Sequence, residues 1–347
     1  MPTVLDSLTS ALHQALAQDE NVILLGEDIL SPYGGAFKVT RGLSEAFPGR
    51  ILTTPISEAG FVGLATGMAL RGLRPVVEIM FGDFLTLAAD QLVNHAAKFR
   101  WMYNGGKPPD EHIQVPLVVR TPMGGRRGYG PTHSQTLEKL FLGVPGLRVL
   151  APTNLGDPGQ LLLDAILHTQ DPLLFIENKL LYLLPIHNAS TLLDFTFTSL
   201  PASTSSPLAP NFYLLTLLGA PPATLTLTAY GYMAELARQA ARKLAYEYEI
   251  FIELVIPTQL APFELAPILA STGRTQRLLT VEEGSFSLGW GAEVIAQAAQ
   301  LLGPRLLAAQ RLAARDLPVP SSSPLEAAVL PSVEEIVEVC HKIAQKR

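Results

Sequence analysis

Two stretches of this sequence hold the residue types that could do acid–base chemistry. In Thr54-Pro55-Ile56-Ser57-Glu58-Ala59-Gly60 a single carboxylate, Glu58, stands where a strand-like run (Arg50 to Thr53) gives way to an apolar helical run. Pro55 stops the strand and Ser57 takes the N-cap position. Ala59, Val62, Leu64, Ala65, Met68 and Ala69 follow with helical spacing, and Gly60, Gly63 and Gly67 permit close packing. A carboxylate opening so apolar a helix is expected to be desolvated and to hold its proton near neutral pH. The alternative is an acid placed there for the helix dipole, which needs no chemistry. The second stretch is the glycine-rich loop Thr121 to Gln135, which carries Arg126, Arg127, His133 and Ser134 after a strand. Loops at the carboxyl ends of strands are where α/β sheets keep their sites, so His133 is either functional or one more structural histidine.

Other chemistries find no support. There is no P-loop, and no G-x-G-x-x-G opens a βαβ unit. Gly289-Trp290-Gly291 begins a helix and reads either as a packing turn or as a site for a monovalent ion or phosphate. The seven histidines never fall in a metal-binding pair, so no metal site is expected. Ser134 adjoins His133 instead of facing it, and no Gly-x-Ser-x-Gly elbow occurs. Asp83, Asp90 and Gln91 read as capping or helix–helix hydrogen-bonding groups, and Phe84 as a core aromatic.

The elements that must position these groups alternate. A helix is expected over Thr3 to Gln18, then strand Val22 to Leu25 ending in Gly26-Glu27-Asp28, and a glycine loop from Ser31 to Phe37. After the helix that Glu58 opens come strand Arg74 to Met80, Phe81-Gly82-Asp83-Phe84, and one long helix from about Leu85 to Met102. Strands Val115 to Arg120, Leu147 to Ala151 and Leu173 to Ile176 follow, the last two flanking a helix near Pro158 to His168. The pattern repeats after residue 222, with strands at Thr224 to Thr228, Phe251 to Ile256 and Leu278 to Val281, and a closing helix from Ser332 to Gln345. Such alternation predicts mostly parallel sheets sandwiched between helices. Residues 188–222, rich in Ser, Thr, Pro and Leu, read as a linker with one strand of its own.

The 347 residues suffice for two domains. They are 48% hydrophobic and only 16% charged, which suggests that other subunits cover part of the surface. A net charge of −6 argues against nucleic acid as the partner. No apolar run is long enough to span a membrane, and Met1-Pro2-Thr3-Val4-Leu5-Asp6 lacks a signal-peptide layout. The single cysteine, Cys340, excludes an intrachain disulfide and fits a reducing, cytoplasmic setting.

Several motifs, in order along nearly the full length, carry a resemblance. They include Leu24-Leu25-Gly26-Glu27-Asp28, Tyr33-Gly34-Gly35-Ala36-Phe37, the Glu58 stretch, Gly72-Leu73-Arg74-Pro75-Val76-Val77-Glu78 and Phe81-Gly82-Asp83-Phe84. His133-Ser134-Gln135, Val281-Glu282-Glu283-Gly284, Gly289-Trp290-Gly291 and Asp316-Leu317-Pro318-Val319-Pro320 complete them. The chain resembles the β subunit of the thiamine-diphosphate-dependent decarboxylating component of 2-oxo acid dehydrogenase complexes, the family of pyruvate, branched-chain and acetoin dehydrogenases. The resemblance implies two three-layer α/β/α domains. One is a transketolase-like, pyrimidine-binding domain over 1–187, the other a transketolase C-terminal-like domain over 223–347, with 188–222 between them. It implies that the Glu58 carboxyl hydrogen-bonds the cofactor's aminopyrimidine, favouring the tautomer that removes the thiazolium proton. It places Phe84 in a stack on that ring, Glu27 and Glu78 at or behind the cofactor, and His133 near the substrate and the acyl transfer to lipoamide. Decarboxylation of a 2-oxo acid and acylation of a lipoyl domain follow.

The family's diphosphate and Mg²⁺ motif, Gly-Asp-Gly with a later Asn, is missing, since Phe84 follows Gly82-Asp83. The resemblance therefore implies half a site, completed by an α subunit that holds Mg²⁺ in an α₂β₂ assembly docked on a lipoyl acyltransferase core. Departures from the family pattern are an insertion over Lys107 to Val115, the basic pair Arg126-Arg127, Thr258-Gln259, and Leu167, His168 and Gln170 where carbonyls would hold K⁺. The last leaves K⁺ open. Glu177-Asn178-Lys179 mixes pyruvate and branched-chain features, so the 2-oxo acid is not named. An acetoin-cleaving β subunit and a non-catalytic scaffold subunit are the alternatives.

Overall fold

The computed structural model describes residues 1–104, 108, 112–200 and 212–345. Helix α1 (Val4–Gln18) starts at a capping box in which Thr3 and Asp6 satisfy each other's backbone N–H groups. Strand β1 (Val22–Gly26), the short helix α2 (Leu43–Ala46), β2 (Ile51–Thr53), α3 (Glu58–Leu70) and β3 (Arg74–Glu78) follow. Then come α4 (Ala97–Tyr103), β4 (Val118–Met123), β5 (Arg148–Leu150), α5 (Pro158–His168) and β6 (Leu173–Asn178). The second half contains β7 (Phe195–Leu200), β8 (Phe212–Leu217), β9 (Leu225–Ala229), α6 (Tyr232–Tyr248), β10 (Ile252–Pro257) and β11 (Gln259–Ala261). It closes with α7 (Ala266–Thr275), β12 (Arg277–Ser285), α8 (Trp290–Leu302), β13 (Ala308–Ala314), α9 (Ser323–Ala327) and α10 (Val333–Ala344).

The first sheet has seven strands in the order β11-β5-β6-β4-β3-β1-β2, parallel except for the β11–β5 pair. Its strands are apolar on both faces, as a sheet covered on both sides requires. Leu25, Val77, Val119 and Val149 pack with Phe61, Val62 and Ala65 of α3 on one face. Their neighbours Leu24, Val76, Val118 and Leu150 pack with α1 and α5 on the other. The second sheet runs β13-β12-β9-β10-β8-β7. Leu227, Leu254 and Leu279 meet α6 and α10 on one face, whereas Val255 and Leu278 meet α7 and α8 on the other. The α3 side of the first sheet and the α7–α8 side of the second belong to one hydrophobic cluster, so the halves share a core.

Three features differ from the sequence reading. Residues 188–222, read as a linker with one strand, contribute two, β7 and β8, an antiparallel pair at the edge of the second sheet. Alternating Phe195, Phe197 and Tyr213, Leu215 supply that edge with an apolar face. Residues 201–211 of that stretch, and 107 and 109–111 of the expected insertion, lie outside the described residues. The long helix expected over Leu85 to Met102 is broken into a 3-10 turn (Gly82–Thr86), a π turn (Gln91–Ala96) and α4. There Asn94 and His95 bond back to Asp90, competing with the regular ladder, and Gln91 packs against Gly63 of α3 so closely that a Cβ on Gly63 would lie 2.9 Å from it. Finally, β11 leaves the second half and pairs Gln259 and Ala261 with Leu150 and Val149, stitching the second half to the first sheet.

Candidate active site

Register brings the carboxyl ends of three strands, β1, β2 and β3, into one row with Arg120 inside β4. Thr53 lies opposite Gly26, Gly26 opposite Glu78, and Glu78 opposite Arg120. Glu27 therefore emerges from β1 beside the segment that carries Glu58. Glu58 opens α3 and is only 4% exposed, although Ile56 nearby is 86% exposed. Ser57 holds the N-cap position without a side-chain capping bond, and its hydroxyl lies over Gly60. Glu27 is buried as well, and its Oε1 has no hydrogen-bond partner. Burial raises the Glu27 carboxyl above the ordinary range, and the charges of Glu58 and Asp28 add to the effect.

Glu78 has a different environment. Its carboxylate pairs with the Arg120 guanidinium, whose Nε also donates to Glu177 Oε1 at 2.8 Å and Nη2 to Glu177 Oε2 at 2.6 Å. Tyr182 donates to the same Glu177 oxygen at 2.6 Å. Arg120 is 1% exposed; burial opposes its charge, but Glu177 and Glu78 outweigh that and hold it protonated. A Cβ on Gly35 would fall 2.3 Å from Glu78 Oε1, so the glycine loop after β1 lies directly on this cluster. At Gly35, with φ near +76°, glycine is required by space and by conformation.

Phe84 and His133, far apart in sequence, are brought together. Their ring centroids lie 5.3 Å apart, and Phe81 lies 4.8 Å from His133 and 5.9 Å from Phe84, all edge-on. Asp83, expected to cap a helix, instead accepts from the backbone and side-chain amides of Gln135, at 3.3 and 2.9 Å. It thereby ties the Phe84 turn to the His133 loop. The buried Lys179 donates from Nζ to the His133 carbonyl and lies 5.2 Å from the Phe81 ring and 5.4 Å from Tyr129. Burial pushes the Lys179 ammonium down to about 8, against the charges of Asp83 and Glu283. Phe37, 5.6 Å from Phe81 and 5.4 Å from Tyr182, links this aromatic group to the strand-end carboxylates.

Sequence reasoning did not single out Arg120 or Tyr182, and it read Lys179 only as part of the stretch Glu177-Asn178-Lys179. The available signal was a charge inside an apolar strand, Val118-Val119-Arg120, flanked in the sheet by strands that carry Glu78 and Glu177 at or next to their ends. The turn Gly289-Trp290-Gly291 resolves as packing. Glu282 Oε1 accepts from Gly291 N at 2.9 Å and fills the start of α8, where an anion would otherwise sit. Burial pushes that carboxyl up to about 7. Among the described residues no group of three or more His, Cys, Asp or Glu converges on a metal position. A cleft of about 580 Å³ lined by Arg100, Trp101, His112 and Arg148 lies away from Glu58 and His133.

Known proteins bear on this arrangement. Residues 1–184 match the transketolase pyrimidine-binding domain and residues 220–336 the transketolase C-terminal domain. The pyruvate dehydrogenase E1 component subunit beta-2 of Oryza sativa subsp. japonica is 36% identical over 98% of this chain and 85% of its own length. The chain belongs to the E1 β-subunit family. Its relatives also include the pyruvate dehydrogenase E1 β subunit of Rickettsia conorii, 32% identical with 98% of both chains covered. The β subunit of Bacillus subtilis acetoin:2,6-dichlorophenolindophenol oxidoreductase is 35% identical over 96% of this chain and 94% of its own. In fold, a solved split-gene transketolase in an inactive β4 tetramer superposes with a TM-score of 0.74, covering both chains fully at 17% identity. This E1 β-family chain thus has the two-domain transketolase-like α/β fold that its motifs implied. No helix among its described residues is long and apolar enough to cross a membrane.

Proposed function

We propose that this chain is the β half of a shared thiamine diphosphate site, which with an α subunit decarboxylates a 2-oxo acid oxidatively and passes the acyl group to a lipoyl domain. The observation that carries it is the buried Glu58 carboxyl at the start of an apolar helix, beside a second buried carboxyl, Glu27, with an unpartnered oxygen. Those two acids fit an aminopyrimidine, whose ring nitrogens and amino group need a buried donor and acceptor. When bound, thiamine diphosphate supplies the carbanion and the electron sink that decarboxylation requires.

In this reading the Glu58 carboxyl hydrogen-bonds a ring nitrogen of the pyrimidine from its buried position at the start of α3. Glu27 offers its unpartnered oxygen from the adjacent strand end. Phe84 lends an aromatic edge or face to the ring, and Phe81 and Tyr129 help to exclude water. His133, held by Lys179 and Thr132, stands where it could exchange a proton with substrate or lipoyl sulfur. Glu78 touches neither; locked to Arg120, it braces the strand ends that aim Glu27 and Glu58.

Helix α3 is apolar on all sides, and Leu64, 58% exposed, and Gly67 face outward with nothing over them. A helix of that composition calls for a covering subunit, here the α chain or a second copy in an α₂β₂ assembly. The α chain supplies the diphosphate and Mg²⁺ contacts, and the lipoyl acyltransferase core the docking partner. No K⁺ is assigned, because the carbonyls of Ile166 and Thr169 at the end of α5 already accept from Arg74. The cytoplasm is the proposed location, and 1–187, 188–222 and 223–347 are the proposed divisions, the middle segment belonging structurally with the second sheet. Acetoin cleavage is the second reading, favoured by the Bacillus relative. The test is Glu58→Ala in the reconstituted enzyme. It should lower decarboxylation at least about 100-fold, whereas unchanged decarboxylation would make the chain a scaffold.

A further inference from the structure

The loop that leads to His133 is a backbone corkscrew. Gly124, Arg126, Gly128 and Gly130 all have positive φ, near 95°, 66°, 70° and 77°. Left-handed residues alternating in this way turn successive N–H groups toward one side, forming a concavity suited to an anion. Carboxylates from the second half of the chain fill it. Gly125 N donates to Glu283 Oε1 at 2.7 Å, Arg126 N to Glu326 Oε1 at 2.6 Å, and Gly128 N to Glu326 Oε2 at 3.2 Å. Both acids are almost fully buried. Glu283 also accepts from Asn178 Nδ2 at 2.8 Å, one residue before the lysine that holds the His133 carbonyl.

The fit is close. A Cβ on Gly125 would lie 2.6 Å from Leu330 and 3.1 Å from Glu326 Oε1, and one on Gly128 would lie 3.2 Å from the Ser321 carbonyl. The guanidinium of Arg126 donates to the Pro331 carbonyl, so this member of the unusual basic pair serves the contact between the halves. Arg127 donates to the Lys179 carbonyl at 3.4 Å. A non-glycine residue such as Arg126 keeps a left-handed conformation only where its surroundings fix it.

We propose that Glu283 and Glu326 are positioning residues of the second domain that hold the His133 loop in its working shape. The second domain then acts on acyl transfer without touching substrate. The inference rests on the role proposed above for His133, and the experiment separates the two. In the assembled enzyme, Glu326→Ala and Glu326→Gln are compared by amide hydrogen exchange and by two activities, decarboxylation with an artificial electron acceptor and acylation of a lipoyl domain. Peptides covering 124–134 should exchange about tenfold faster in Glu326→Ala, the loss of charge-assisted bonds, while those of α10 stay unchanged. Lipoyl acylation should fall about tenfold or more, because small displacements of a catalytic group are costly. Glu326→Gln, whose one oxygen can still accept from Arg126, should lie between, and it carries the test if the alanine variant does not fold. Combined with His133→Ala, Glu326→Ala should add no further loss of acylation. Unchanged exchange at 124–134, or losses that multiply in the double variant, would overturn the proposal. If His133→Ala leaves acylation intact while Glu326→Ala still loosens 124–134, the carboxylate clamp stands and the reading of His133 falls.

Discussion

Glu27 and Glu58 are two buried carboxyls, and Glu27 feels the charge of Glu58 across the ends of β1 and the segment after β2. Burial raises Glu27 most and the charge of Glu58 raises it further, so Glu27 is the member that tends to keep its proton. A pair that keeps one proton can donate and accept at once. Glu58→Gln removes the neighbouring charge, and the Glu27 carboxyl should then titrate at lower pH than in the parent. Carbon-13 NMR of labelled glutamate reads this directly. An unshifted titration would dissolve the pair.

Lys179 gives the enzyme an alkaline limb. Its ammonium is held down to about 8 by burial, and the protonated form donates a charge-assisted hydrogen bond to the His133 carbonyl that the neutral amine makes only weakly. Acyl transfer should therefore decline as pH rises through about 8. Stability should move the opposite way, because a lysine whose folded value lies below its ordinary 10.5 binds more protons unfolded, so stability rises with pH between the two values. Lys179→Met should lower acyl transfer and flatten its profile above neutrality. A profile identical to the parent's would exclude Lys179 from the site.

Arg120 is the keystone of the strand ends. Removing it leaves Glu78 and Glu177 facing each other, buried, with Tyr182 attached. Arg120→Ala should cost roughly 3–5 kcal/mol of unfolding free energy, the usual result of stranding a buried charge. Arg120→Met with Glu78→Gln and Glu177→Gln should recover much of it. Denaturant titration settles the matter, and a loss below about 1 kcal/mol, the range of an exposed pair, would contradict the account.

Much of this was legible in the sequence for a physical reason. The helix that Glu58 opens, the strands Val22–Gly26 and Arg74–Glu78 and the helix Pro158–His168 are set by local periodicity and by Pro, Gly and capping residues, and the structure has them almost residue for residue. What stayed hidden depends on distant partners. Strand β11 exists because Leu150 offers it an edge, and the π turn at Gln91 because Gly63 lets it approach. The Arg120 cluster needs the register of three strands, and the grip of Glu326 on Arg126 spans two hundred positions. The proposed site residues Glu58, Phe84 and His133 were pointed to by their motifs; that Asp83 and Lys179 unite Phe84 with His133 could be seen only in three dimensions.

The account stands on the claim that this chain is half of a cofactor site. Thiamine diphosphate binding should be measured by calorimetry on the isolated chain, then on the chain mixed with its α partner and Mg²⁺. The account predicts heat of binding in the mixture only, lost again with Glu58→Ala. Tight binding by the isolated chain would contradict it, because the diphosphate anchor would then have to lie within this chain.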